Sequence, residues 1–362
     1  MMRLRKNVLF MVVLAVFALF YIGCEGPAGA DGADGADGTD GLAGADGVDG
    51  NITCLVCHSD ENLEMKNHEF AMSTHSAGPN VAYAGGRGSC SRCHGHEGFV
   101  AFAEGFDAEN IANPSPWKCS TCHGLHQTFE SEDYALRLTE AVSIWDGGNF
   151  LLKGNNYLAI QGNSNLCANC HQSRRAEPNI ASPGTTFNIT STHYGPHHGS
   201  QANVLAGVGF AEIAGSVAYP AAGSSYHIAA SCTGCHMAEF DGEGGHSFTP
   251  SLSSCNGCHT TADFNYGGVQ AEIDGLLDEL RDLLVAAGVV EQGHEDIYEI
   301  NQETGVIELV SYAGEYHPVV GTHSMAHAQG FYNWIGLVED RSAGVHNPKY
   351  VKALLVNSIA AM

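Results

Sequence analysis

Apolar residues recur at helical spacing in one long stretch of this chain, where Ile273, Leu276, Leu277, Leu280, Leu283 and Leu284 share a face and stop short of Gly288. The pattern predicts a helix there, with the glycine at its C-terminal cap. A second helix is expected from about Val319 to Asp340, carrying His323 and His327 four positions apart on one face. Asn347 and Pro348 then supply an N-cap and a first-turn proline for a third helix running towards Ala360. An unbroken apolar run from Val8 to Ile22 stands near the start. Between these two ends, residues 52–265 sustain neither helical nor strand periodicity, and Gly, Pro, Ser and Asn are scattered through them.

What recurs in that unpatterned stretch is Cys-x-x-Cys-His, six times at intervals of 23 to 65 residues. The copies are Cys54, Cys57 and His58; Cys90, Cys93 and His94; Cys119, Cys122 and His123; Cys167, Cys170 and His171; Cys232, Cys235 and His236; and Cys255, Cys258 and His259. Each reads as the attachment site of a c-type haem. Two thiols three positions apart can add to the two vinyl groups of one porphyrin, and the next residue places an imidazole under the iron. Zinc motifs do not require a histidine directly after the second cysteine, and a thioredoxin-like redox pair does not recur six times. Twelve of the thirteen cysteines are used in this way, and none is left for a disulfide once Cys24 is accounted for. Six haem c groups would supply the apolar core that the side chains of 52–265 do not, with the polypeptide wrapping them as short helices and loops and the apo chain unfolded.

Cys24 closes a second pattern. Arg3, Arg5 and Lys6, the apolar run and Gly23-Cys24 stand in the order of a secretory leader (1–23) with a lipoprotein-type cleavage site, Cys24 being the lipidated residue. Tyr21 stands where such sites usually carry Leu. The fifteen apolar residues fall short of the roughly 20 needed to cross a bilayer. Export also suits c-type haem, which is attached outside the cytoplasm. From Gly26 to Gly50 every third residue is Gly, with Asp at six of the eight third positions. That is collagen periodicity, but only Pro27 provides the proline a triple helix needs, and the aspartates would repel across a trimer. Residues 24–51 therefore read as an extended acidic tether. The formal net charge of −25 becomes −28 once the leader and its three cations are removed. Such acidity excludes nucleic acid as a partner and suits cationic or metal-bearing ones, or simply solubility.

The second axial ligand of each iron separates carriers from enzymes: paired histidines give a saturated low-potential iron, methionine raises the potential, and an open position permits catalysis. Fourteen histidines lie outside the motifs, against competition from Met65, Met72, Met237 and Met325. The excess favours histidine on both sides. Those a short way from a motif, His75, His126, His227 and His246, are the first candidates, completed by His197 or His198 and by one from the C-terminal helices. His68 and His294 fit less well. Because imidazolium cannot bind iron, acidification is expected to release these distal ligands.

Several stretches carry a family resemblance: CSRCHGHEGF at Cys90, WKCSTCHGLHQTF at Trp117, NLCANCHQSR at Asn165, PHHGSQANVLAGVGF at Pro196, YHIAASCTGCHM at Tyr226, HSFTPSLSSCNGCH at His246 and GVHNPKYVKALLVNS at Gly344. Over most of residues 75–360 the chain resembles the multihaem cytochromes c of metal-reducing and related bacteria, which share features with the ammonia-forming nitrite reductases and octahaem hydroxylamine oxidoreductases. Carried over by position, the resemblance implies distal ligands at His75, His126, His198, His227, His246 and His346. The nitrite reductases attach their catalytic haem through a motif ending in Lys, whereas all six motifs here end in His, and the hydroxylamine oxidoreductases carry eight haems. Hexahaem cytochromes that polymerise into filaments are also similar in size, although a lipid anchor sits oddly with a free filament.

The fold expected is mainly α with extensive loops and little β: a multihaem cytochrome c fold whose haem stack (52–265) is the core, with a C-terminal helical segment (266–362) packed on it. The function expected is electron transfer along the haems at the cell envelope, periplasmic or outer surface, with no catalytic residue assigned. Redox proteins or an extracellular acceptor would be its partners, and self-association is open. The alternative is a reductase of nitrite, hydroxylamine or a similar small species at one five-coordinate haem, with His193, Tyr194 and His197 the polar groups to inspect beside it.

Overall fold

Each motif that the structure describes closes a single helical turn. The computed structural model describes residues 58–107, 109–128, 131–143, 157–158, 162–175, 185–239, 244–260, 263–293, 297–300, 307–311 and 315–362, all within one unit, Gly50–Met362. The expected leader, Cys24, the acidic tether, Cys54, Cys57 and His294 lie outside the described residues.

The motif-bearing region is a succession of short helices: α1 (Asp60–Ala71), α2 (Thr74–Ala77), α3 (Gly88–His94), α4 (His96–Ala103) and α5 (Cys119–Cys122). A two-residue antiparallel pair, β1 (Val142–Ser143) with β2 (Tyr157–Leu158), precedes α6 (Ser164–Ala168). Strand β3 (Thr186–Ile189), α7 (Gln201–Ala206) and α8 (Thr233–His236) complete the region. In four motifs the histidine amide donates to the carbonyl of the first cysteine: His123 to Cys119 at 3.0 Å, His171 to Cys167 at 2.9 Å, His236 to Cys232 at 2.8 Å and His259 to Cys255 at 2.9 Å. One such turn brings thiols at i and i+3 to the same side, as a single porphyrin requires. Among the described residues, the separate buried apolar cluster here is small, built on Val142, Ala168, Ala202, Leu205 and Ala206.

Side-chain packing is concentrated in the C-terminal segment. Helix α9 (Val269–Ala286) extends beyond the apolar stripe that predicts it at both ends, and Gly288 follows in the left-handed conformation (φ 67°) that favours glycine after a helix C-terminus. Strand β4 (Val290–Gln292) pairs with β7 (Tyr316–Pro318), and β5 (Ile297–Ile300) with β6 (Ile307–Ser311). Strand β8 (Gly321–Ser324) pairs with β3, then α10 (Met325–Asp340) and α11 (Pro348–Ala361) follow. Ile273, Leu280 and Leu284 of α9 pack with Phe331, Tyr332 and Trp334 of α10 and Tyr350, Val351, Leu354 and Leu355 of α11 in one cluster, which Ile189, Val204 and Phe210 join from the motif region. Asn347 caps α11 by accepting from the Tyr350 amide, with Pro348 in the first turn, as expected.

The second helix departs from its expected start. It begins at Met325, because Ser324 caps it by accepting from the His327 amide at 3.1 Å and residues 321–324 are drawn into the ladder with β3. His323 therefore lies in a strand opposite Phe187, its Nε2 donating to the Val319 carbonyl, and does not share a helical face with His327. Overall the described chain is mainly helical, with only two-stranded pairs as sheet. No helix among the described residues is long and apolar enough to cross a membrane.

Candidate functional site

All ten described motif cysteines and all six motif histidines line one cavity of about 2670 Å³. Across it, every motif histidine has a second imidazole opposite. The ring centroids of His58 and His126 are 5.9 Å apart, His94 and His197 6.1 Å, and His123 and His246 6.4 Å. Those of His171 and His75 are 6.0 Å apart, His236 and His346 6.3 Å, and His259 and His227 6.1 Å. Such rings are too far apart for contact. Two imidazoles bonded on opposite sides of one metal ion, each at about 2 Å, have centroids about 6 Å apart once the rings are added. The six gaps have this size, and each has a pair of thiols from the same motif beside it, the first pair, Cys54 and Cys57, excepted as lying outside the described residues.

In five of these rings the outer nitrogen is already occupied. Nδ1 of His123 donates to the Tyr134 carbonyl at 2.8 Å, that of His171 to Gln201 Oε1 at 3.2 Å, and that of His236 to the Phe248 carbonyl at 2.9 Å. Nδ1 of His227 donates to the Val345 carbonyl at 2.5 Å and that of His346 to Asp340 Oδ1 at 2.6 Å. An acceptor on Nδ1 holds the proton there and leaves Nε2 with the free lone pair a metal needs. His197 shows the same readiness from the other end, since its Nε2 is buried without a hydrogen-bond partner. The residues present fit iron porphyrins held by paired histidines.

His197 and His198 are adjacent in sequence and opposite in fate. His197 takes a left-handed backbone (φ 72°) and turns its ring to His94. Burial, with Arg174, His198 and His94 nearby, pushes it down to about 3, so it is neutral near pH 7. His198 turns to Glu339 instead, its side chain 72% exposed, and its Nδ1 donates to Glu339 Oε2 at 2.9 Å. That hydrogen bond raises its pKa over the opposing effect of burial. The structure thus places His197 in the position that the family resemblance implies for His198. The other five implied partners, His75, His126, His227, His246 and His346, all face a motif histidine. His126 also adopts positive φ (58°), and such strain in non-glycine residues is characteristic of functional positions.

Helix α10 holds His197 in place. A Cβ on Gly336 would fall 2.6 Å from Phe210 Cε1 and 2.8 Å from Pro196 Cγ, so only glycine lets the helix press against the residue before His197. Ser200 Oγ locks the contact by donating to the Gly336 carbonyl at 2.8 Å. Tyr194, inspected as a possible reactive group, instead stacks on Phe331, and its hydroxyl donates to the Ala328 carbonyl. His193 is exposed. Met65 is exposed and Met325 starts α10, while Met72 and Met237 line the cavity.

The sites touch one another. Cys93 Sγ donates to the Asn169 carbonyl at 3.7 Å and Cys170 Sγ to the Arg92 carbonyl at 3.9 Å, while the Thr233 amide of the fifth motif donates to Ser164 Oγ on the helix of the fourth at 3.0 Å. The Phe248 ring lies 4.9 Å from that of His75 and 6.1 Å from that of His246, while its carbonyl holds His236. Ser225 Oγ accepts from the His227 amide and donates to the His346 carbonyl at 3.1 Å, joining the fifth and sixth sites. Gln201, Phe248, Ser225 and Asp340 carry no motif, and nothing in their spacing marks them in the sequence.

No protein-family model and no curated protein matches the chain. Among solved structures, the outer cell wall cytochrome OcwA is similar at a TM-score of 0.49 and 16% identity, over 82% of this chain and 50% of that one. The chain thus spans about half the length of that cytochrome.

Proposed function

We propose that the chain is an exported hexahaem cytochrome c that passes single electrons along closely spaced haems at the cell envelope or surface. The observation that carries this reading is the set of six imidazole pairs, each with ring centroids about 6 Å apart. Haem c supplies reversible one-electron chemistry when bound. The twelve motif cysteines fix the six groups, the motif histidines serve as proximal ligands, and His126, His197, His246, His75, His346 and His227 serve as their partners in motif order. Paired imidazoles on opposite sides of each site favour saturated irons, hence conduction over catalysis. The hydrogen bonds of Cys93 and Cys170 across the second and fourth motifs, that of Thr233 to Ser164, and the Ser225 link support a relay through the second, fourth, fifth and sixth sites, with Phe248 bringing the third beside it.

The leader, lipidated Cys24 and acidic tether place the relay near a membrane without burying it, and the acidic chain suits a cationic or metal-bearing redox partner. The reductase alternative would need one motif histidine without an opposing ring. Mass spectrometry and low-temperature EPR of the purified chain test the reading together. Six covalent haems and six low-spin ferric signals are expected, and the lipid should be found on Cys24. Fewer than six haems, or a high-spin ferric signal in intact protein at neutral pH, would overturn it.

A further inference from the structure

The fifth site differs from the rest in what holds its outer imidazole. Nδ1 of His123, His171, His236 and His227 donates to neutral oxygens, three backbone carbonyls and the Gln201 amide. Nδ1 of His346 donates at 2.6 Å to the carboxylate of Asp340, a residue only 3% exposed at the end of α10. The second oxygen of that carboxylate accepts from Ser342 Oγ, which also accepts from the His346 amide at 3.3 Å. The helix end is fixed in turn by Gln201 Nε2, which donates to the carbonyls of Glu339 and Asp340. Glu69 is the comparable acid at the third site, but its nearer oxygen is 3.6 Å from His246 Nδ1, which has no hydrogen-bond partner. A buried acid in direct contact with an outer ring nitrogen is thus a feature of the fifth site among the described pairs.

We infer that Asp340 is a positioning residue that makes the fifth haem the low-potential member of the relay, through His346. The inference rests on the reading of His346 as an iron ligand. A carboxylate accepting the Nδ1 proton makes the imidazole a stronger electron donor through Nε2. Its negative charge, buried beside the iron, also favours Fe(III) over Fe(II). Reduction at this site takes one electron from a neighbouring haem, whose Fe(II) becomes Fe(III), while the proton stays on His346 Nδ1. Since the Thr233 amide donates to Ser164 Oγ at 3.0 Å and Ser225 links His346 to His227, the fifth site stands between the fourth and the sixth. Asp340 therefore sets an energetic step inside the relay, not at its end.

The test is a spectroelectrochemical titration of the full haem-loaded chain carrying Asp340→Asn, which keeps the hydrogen-bond acceptor and removes the charge. One of six reduction steps should move to higher potential by at least about tenfold in its equilibrium constant, about 59 mV for one electron. Ser342→Ala, which removes a donor from the same carboxylate, should move that step the opposite way. His346→Ala identifies the site, since one haem should become high-spin in EPR. If it does and neither other variant shifts a step, Asp340 has no tuning role. If all six haems stay low-spin in His346→Ala, the ligand assignment fails and the inference fails with it.

Discussion

His94 and His197 face each other with centroids 6.1 Å apart and ring planes crossed at 81°, while the adjoining His198 is turned out to Glu339. Two consecutive histidines therefore make opposite predictions. His197→Ala should convert one of six haems to a high-spin state, seen in the visible spectrum and by EPR, and should raise the affinity of that iron for small external ligands. His198→Ala should leave all six low-spin and cost under about 1 kcal/mol of stability, as the loss of an exposed ion pair does. High-spin character in the His198 variant alone would return the ligand role to that residue.

The six pairs divide by ring orientation. His94/His197, His171/His75 and His259/His227 are nearly perpendicular, at 81°, 85° and 83°. His58/His126, His123/His246 and His236/His346 lie nearer parallel, at 13°, 36° and 35°. The angle between two axial imidazole planes controls how strongly the iron orbitals split, which EPR reads directly. Ferric protein should give two families of low-spin signals in equal amounts, one of large maximal g value from the crossed pairs and one of ordinary rhombic shape. His197→Ala should remove intensity from the first family only. A single family would mean that the rings turn once haem is bound.

How much of this was legible beforehand depended on how local the cause was. The thiol and histidine spacing is confined to five residues, so the motifs that gather around the cavity could be read directly, as could α9 and α11 from their stripe and caps. The start of α10 could not, because β8 is claimed by β3, a strand more than a hundred residues upstream whose alternation spans only four residues. The choice of His197 over His198 turns on one positive φ and on Gly336, where a helix from the far end of the chain meets Pro196. Asp340 and His346 are brought together by the left-handed Arg341 (φ 60°), which no propensity announces.

Asn333 and Asn357 do for the segment around residues 211–217 what a neighbouring strand would do. Asn333 Oδ1 accepts from the Ala211 amide at 2.9 Å and its Nδ2 donates to the Ala211 carbonyl at 2.8 Å. Asn357 repeats the pattern on Val217, at 3.1 and 2.8 Å. Both asparagines are fully buried. Asn333→Ala should cost about 2–4 kcal/mol, since it strands a buried N–H and C=O together. Hydrogen exchange should show the Ala211 amide losing protection first. Equal loss across the whole chain would mean that the side chain supports the global fold, not this segment.

Glu97 carries a pH dependence that can be isolated from the haem ligands. Burial pushes its carboxyl up, but hydrogen bonds from Ser115 Oγ at 2.5 Å and the Ser115 amide at 2.9 Å outweigh this and hold it below its usual value of 4.5. The folded state therefore prefers the ionised form. Its stabilisation is complete above the unfolded value near 4.5 and is lost as pH falls through the lower folded value. Solvent screening of this partly exposed group holds it to under about 1 kcal/mol, tying α4 to the residues before Trp117. Denaturant titrations of wild type and Glu97→Gln should differ by that amount at pH 7 and converge as pH falls below 4.5. A difference that persists at the most acidic pH at which the fold survives would trace to packing, because protonation would by then have erased the contribution of charge.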